Sequence, residues 1–144
     1  DMVGPYGYCA DISRAFVVDN KFNEEQKKLY SIAMEQIDYN SKLIKNGMAF
    51  EEFIEKCWVL PLEYYPNRYS VMVHGIGLCD EWPAIRYPDD GGERTGVFKK
   101  NMTITVESYI GKVKGKEGVK LEQQYLVGEN GLELMSHHPL EDIK

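Results

Sequence analysis

The segment "ESYIGKVKGKEGVKLE" sets Glu107 and Glu122 at nearly matching distances on either side of a turn rich in glycine and lysine. If its arms pair as a hairpin, the two carboxylates face each other across the strands, where like charges destabilise unless a cation sits between them. The opening stretch "DMVGPYGYCAD" repeats the construction: Gly4, Pro5 and Gly7 mark a turn, and Asp1 and Asp11 lie equally far from Tyr6. Two acid pairs then need a cation. Glu107 also interrupts the otherwise apolar strand "MTITVESYI", and Glu122 follows Val119 and Leu121 in the same way. Acids at such positions are more often exposed, but facing pairs on buried strands are what a metal site supplies.

His74 can add an imidazole. It ends the apolar run "SVMV", and Gly75 and Gly77 just beyond it allow close backbone approach and unusual dihedrals. Hard carboxylate oxygens with one imidazole suit Mn²⁺, Fe or Co²⁺ better than a structural zinc or a copper site. His137 and His138 fit no such constellation and read as surface residues.

The rest of the chain has to build a scaffold around these groups. From Asn23 to about Lys45 the apolar residues Leu29, Ile32, Ala33, Ile37, Leu43 and Ile44 recur at helical spacing, with Asn23 as N-cap and Gly47 as the stop. A second helix is predicted from about Ala49 to Leu60, ended by Pro61. Strands are predicted over residues 7–19, 69–74, 102–110, 119–127 and 131–135, with 80–100 a long polar loop. A strand, two helices and then several strands point to an α+β fold, with helices segregated on one face of an antiparallel sheet.

At 144 residues, 43% hydrophobic and 28% charged, the chain can form one domain with its own core, read as 1–144. A net charge of −6 argues against nucleic acid or an anionic membrane as partner and favours a small-molecule or peptide substrate. The absence of any span-length apolar run or signal-peptide pattern, with three cysteines in neither disulfide nor zinc spacing, gives the expectation of a cytoplasmic protein with reduced thiols. Asp1 opens on residues that read as the middle of a structured element, so the chain reads as a piece of a longer one.

Asp1, Asp11, His74, Glu107 and Glu122, in that order within "GYCADISR", "HGIGL" with "EWP", "TITVE" and "GVKLEQQYLV", resemble the creatinase, aminopeptidase P and prolidase superfamily. The resemblance implies the carboxyl-terminal half of a pita-bread fold, an absent upstream half and amino-terminal domain, and a homodimer. It also implies two divalent metal ions held by these five residues. Two departures narrow it. "HGIGLCDEWP" is one residue shorter than the usual peptidase motif and puts Asp80 where a second histidine would align, and the two aspartates stand one residue closer than in the peptidases. Both are similar to the dimethylsulfoniopropionate lyases of the DddP type, which implies iron as the metal, with Mn, Co or Zn as alternatives. It also implies a further aspartate ligand upstream of Asp1.

In that family a base removes a proton next to the substrate carboxylate, and Asp80 occupies its position, where burial would have to raise its pKa. Tyr69 matches a substrate-contacting tyrosine. Trp82 is a second candidate, because aromatic faces attract onium cations. Tyr64, Tyr65 and Tyr87 cluster nearby in sequence, and a plain aromatic core competes with substrate binding as the explanation for all five rings. The competing functions are an Xaa-Pro aminopeptidase or prolidase-like metallopeptidase and a non-catalytic pita-bread binding module.

Overall fold

The computed structural model describes residues 1–140; of the expected domain, 141–144 lie outside the described residues. Two sheets form. The smaller pairs β1 (Met2–Val3) with β2 (Cys9–Ala10), and the larger has five strands in the order β4-β3-β5-β6-β7. Its members are β3 (Val71–Gly75), β4 (Ala84–Arg86), β5 (Thr103–Gly111), β6 (Gly118–Val127) and β7 (Leu132–Leu134), and all neighbours run antiparallel.

Helix α1 (Glu24–Leu43) starts as the sequence predicts. Asn23 accepts from the Gln26 amide while the Gln26 side chain accepts from the Asn23 amide, a reciprocal cap that satisfies two otherwise orphaned donors. The helix stops at Leu43, ahead of Gly47, whose φ of 86° carries the chain into the next turn. Helix α2 (Phe50–Lys56) is shorter than the predicted 49–60. Its continuation is diverted because the Trp58 amide donates to Asn40 Oδ1 of α1 at 2.8 Å.

Helix α1 crosses β5 and β6, and α2 packs near β4. The face of the sheet beneath α1 is apolar, with Val73, Ile104, Val106, Ile110 and Leu121 all at most 1% exposed. Complete burial of such a side chain is worth roughly 1.5–3 kcal/mol. One polar chain is embedded there: Ser108 Oγ donates to Gln36 Oε1 at 2.6 Å, and Gln36 Nε2 donates to the Tyr87 hydroxyl at 2.5 Å. Each member satisfies its neighbour, which makes the burial tolerable.

Two predicted elements change. The strand expected over 7–19 shrinks to Cys9–Ala10, followed by irregular chain in which Ser13 makes a single β-bridge to Glu122. Arg14 replaces ladder bonds there, donating to the carbonyls of Ser13, Glu122, His138 and Pro139 and to the Gln123 side chain. The polar loop expected over 80–100 contains β4, which pairs with β3 through Val71↔Arg86, Val73↔Ile85 and His74↔Ala84. No described helix is long and apolar enough to cross a membrane.

Candidate metal centre

Alternation along the central strands decides which side chains meet. Within β5 and β6 the observed register sets Glu107 opposite Glu122 and Thr105 opposite Gln124, and within β3 and β5 it sets His74 opposite Thr105. These residues share the sheet face opposite α1, since side chains alternate across a strand. The expected confrontation of Glu107 and Glu122 is therefore present, and both are buried, at 2% and 1% exposure.

His74 Nε2 is the hub. It lies 3.2 Å from Glu122 Oε1, 3.8 Å from Glu107 Oε1 and 3.9 Å from Asp11 Oδ2. The other ring nitrogen, Nδ1, sits 3.0 Å from the Gly75 carbonyl, so it carries a proton and leaves Nε2 directed at the acids. Gly75 makes this possible: any Cβ there would lie 1.9 Å from the Trp82 carbonyl oxygen.

Asp11 arrives from the small sheet. The register Met2↔Ala10 makes Asp1 and Asp11 the next pair outward, in agreement with the hairpin expectation. The Asp1 nitrogen lies 3.4 Å from Asp11 Oδ1, while Asp1 itself is exposed and stands at the rim of the group. The Ser13 bridge and the Ser13 Oγ bond to Glu122 Oε2, at 2.9 Å, hold this segment against β6.

Charge in the centre is divided unevenly. Burial pushes the Glu107 carboxyl up to about 7 despite the nearby Lys120 ammonium. Burial acts on Glu122 in the same direction, but the hydrogen bond from His74, the Lys120 charge and the Ser13 hydroxyl outweigh it and take its pKa down to about 2. For His74, burial opposes the cation, yet Glu122, the Gly75 carbonyl and Glu107 together lift the pKa to about 9.

Donor atoms of Asp11, His74 and Glu122 all lie within 4.8 Å of one another, close enough to converge on one ion. Glu107 Oε1 is buried and has no hydrogen-bond partner, although it points into the same space. An orphaned carboxylate oxygen is costly to bury, and a divalent cation would satisfy it. Asp11, His74 and Glu122, with Glu107 beside them, fit a divalent cation, while Asp1 is exposed and is not among the convergent donors.

The candidate substrate residues are more dispersed. Tyr69 is 42% exposed and lies beside the centre, its ring 4.6 Å from the Lys120 ammonium. Trp82 is 59% exposed. Asp80 is exposed on the turn between β3 and β4, so it lacks the burial expected of it in this chain. Tyr64 and Tyr87 are core residues, and Tyr65 stacks against Tyr87 and beneath Arg68, so these three rings serve packing. Sequence reasoning missed Lys120, which contacts Glu107 Oε2 directly and lies 3.6 Å from Glu122 Oε2. The signal was available: in β6, Lys120 and Glu122 are two residues apart and must share a face.

A family model for metallopeptidase family M24 matches residues 1–129. The chain is 34% identical to the dimethylsulfoniopropionate lyase DddP of Roseobacter denitrificans, over 98% of this chain and 32% of that protein. It is equally identical to the lyase of that name from Roseovarius nubinhibens, with the same coverage. The Xaa-Pro dipeptidase of Pyrococcus furiosus is 34% identical over 86% of this chain and 34% of its own length. Among solved structures, the prolidase from Pyrococcus furiosus superposes with a TM-score of 0.73 at 29% identity, covering 92% of this chain and 38% of that one. The X-Pro aminopeptidase from Thermotoga maritima gives 0.73 at 28%, covering 93% and 37%. The chain thus spans about a third of the length of its curated relatives. With its antiparallel sheet, its helices on one face and its convergent acids and histidine on the other, the chain has the pita-bread fold and belongs to metallopeptidase family M24.

Proposed function

We propose that the complete protein is a metal-dependent lyase that splits dimethylsulfoniopropionate into dimethyl sulfide and acrylate. The observation that carries this reading is the 34% identity to two proteins of that activity over 98% of this chain. The shortened "HGIGLCDEWP", with Asp80 in the place of the peptidase histidine, supports it.

Asp1, Asp11, His74, Glu107 and Glu122 would hold two divalent ions, with iron proposed and Mn, Co or Zn able to substitute. Bound there, the ions would act as Lewis acids toward the substrate carboxylate and stabilise the negative charge that develops beside it. The remaining work falls to side chains. Asp80 takes the proton from the carbon next to the carboxylate. The freed electron pair forms the carbon–carbon double bond of acrylate, and the carbon–sulfur bond breaks, its electrons leaving on dimethyl sulfide. Asp80 and Trp82 are exposed on the turn that follows the β3 strand bearing His74, which leaves both side chains accessible to a small molecule. The Tyr69 ring already receives one cation, the Lys120 ammonium, and its face suits a sulfonium group for the same electrostatic reason.

A second reading, hydrolysis of Xaa-Pro bonds, is favoured by the Pyrococcus furiosus dipeptidase and prolidase likenesses. Headspace dimethyl sulfide and Xaa-Pro cleavage, measured in parallel on the metal-loaded complete protein, separate the two. Sulfide release that disappears in Asp80→Asn is the expected result, whereas peptide cleavage without sulfide would transfer the proposal to the second reading.

A further inference from the structure

The two buried glutamates are oriented alike. Glu122 Oε1 faces His74 Nε2 at 3.2 Å, while its Oε2 accepts from Ser13 Oγ at 2.9 Å and lies 3.6 Å from Lys120 Nζ. Glu107 Oε1 faces His74 at 3.8 Å without a hydrogen-bond partner, while its Oε2 contacts Lys120 Nζ. In both, Oε1 looks toward His74 and Oε2 is held from outside the group. Lys120 is the only side chain whose bonds or ion pairs reach both Oε2 atoms among the described residues.

We infer that Lys120 is a positioning residue that clamps the outer oxygens of Glu107 and Glu122 and so presents their inner oxygens, as a pair, to the metal centre. This rests on the reading that the group holds metal. An ammonium has three donors and no acceptor, so one lysine can serve two carboxylates at once. Without it the facing carboxylates repel, and Glu107, whose side chain has no other hydrogen bond among the described residues, is free to turn so that neither of its oxygens is directed at the centre. The ammonium is itself located, 4.6 Å from the Tyr69 ring and on a side chain only 33% exposed. A surface ion pair would have no such fixed geometry and would contribute little. Partners that hold ligating carboxylates commonly alter metal affinity 10–100-fold.

The test uses the complete protein, stripped with chelator and titrated with Mn²⁺ by calorimetry, with visible absorption of the Co²⁺ form recorded alongside. Lys120→Met is expected to weaken Mn²⁺ binding by roughly 10–100-fold and to change the Co²⁺ spectrum. Lys120→Arg should restore most of both, since it returns a cation with several donors. Lys120→Gln, which keeps a donor but loses the charge, should weaken binding by about tenfold and serves if Lys120→Met does not fold. Unchanged affinity in these variants overturns the clamp, as does tighter binding in Lys120→Met, which would make Lys120 a competitor of the metal. A parent protein that binds neither ion overturns the metal reading as well, and the two failures are thereby distinguished.

Discussion

One pair of strands, β5 and β6, has two opposite faces built from interleaved residues. Beneath α1 lie Ile104, Val106, Ile110 and Leu121, while Glu107, Lys120 and Glu122 occupy the other side. Both faces are buried, yet burial does opposite things on them. On the apolar face it drives folding. On the acidic face it raises the energy of ionised Glu107 and creates a demand for positive charge. The site is therefore stabilised by the cation it would bind, and the fold by the layer behind it.

The most drastic way to break this division is to move charge across it. Val106→Glu puts a carboxylate into the fully buried layer under α1, where Arg14 is already committed to the Gln123 side chain and to backbone carbonyls, and should cost about 4 kcal/mol or more, enough to unfold a marginal domain. Urea unfolding followed by circular dichroism would show it. A far smaller loss would mean that the α1 face tolerates charge and that the two faces are not distinct.

Glu107→Gln sharpens the comparison from the other side. Removing the ionised group should weaken Mn²⁺ binding by about 100-fold or more, beyond what loss of an outer partner does. In chelator at pH 8 the same change should leave stability unreduced. Glu107 is raised to about 7 by burial, so the folded protein holds its proton more tightly than the unfolded chain, and the ionised form is a cost above that pH. A parallel fall in both quantities would mean that Glu107 is a structural acid.

The smallest effect, read over any single pH unit above pH 7, is graded with pH. A metal binds the ionised carboxylate and the neutral imidazole, while Glu107 and His74 release their protons only near pH 7 and 9. Mn²⁺ affinity should therefore climb between pH 6 and 9, by about tenfold per unit for each proton displaced, and level off above. Calorimetry in buffers of different ionisation heat would count the protons. A flat profile would show that His74 and Glu107 stay clear of the metal.

Much of the division is legible in the chain. Helix α1 has its apolar stripe and its Asn23 cap, and the turn between Glu107 and Glu122 fixes their register closely enough to predict the acid pair. His74 is legible because an apolar strand ends on it before two glycines. Less legible are the segments with little periodicity. β4 was hidden in a polar loop because a strand of three residues shows too little alternation to read. The region after Ala10 looked extended because its apolar and β-branched residues alternate, whereas Arg14 supplies the bonds a strand would have made.

The sequence by itself determined which side chains could share a face, because alternation along a strand is a local property of the backbone. It therefore determined the facing acids, the nearby imidazole and the family pattern that joins them. Only the tertiary structure decided which carboxylate oxygen points inward, that Glu122 is held ionised while Glu107 resists ionisation, and that Tyr64 and Tyr87 pack the core while Tyr69 borders the site. The reason is physical: these outcomes depend on burial and on neighbours distant in sequence, Lys120 and Ser13 on one side and His74 on the other. Local pattern does not encode the distance to a group that a different strand brings near.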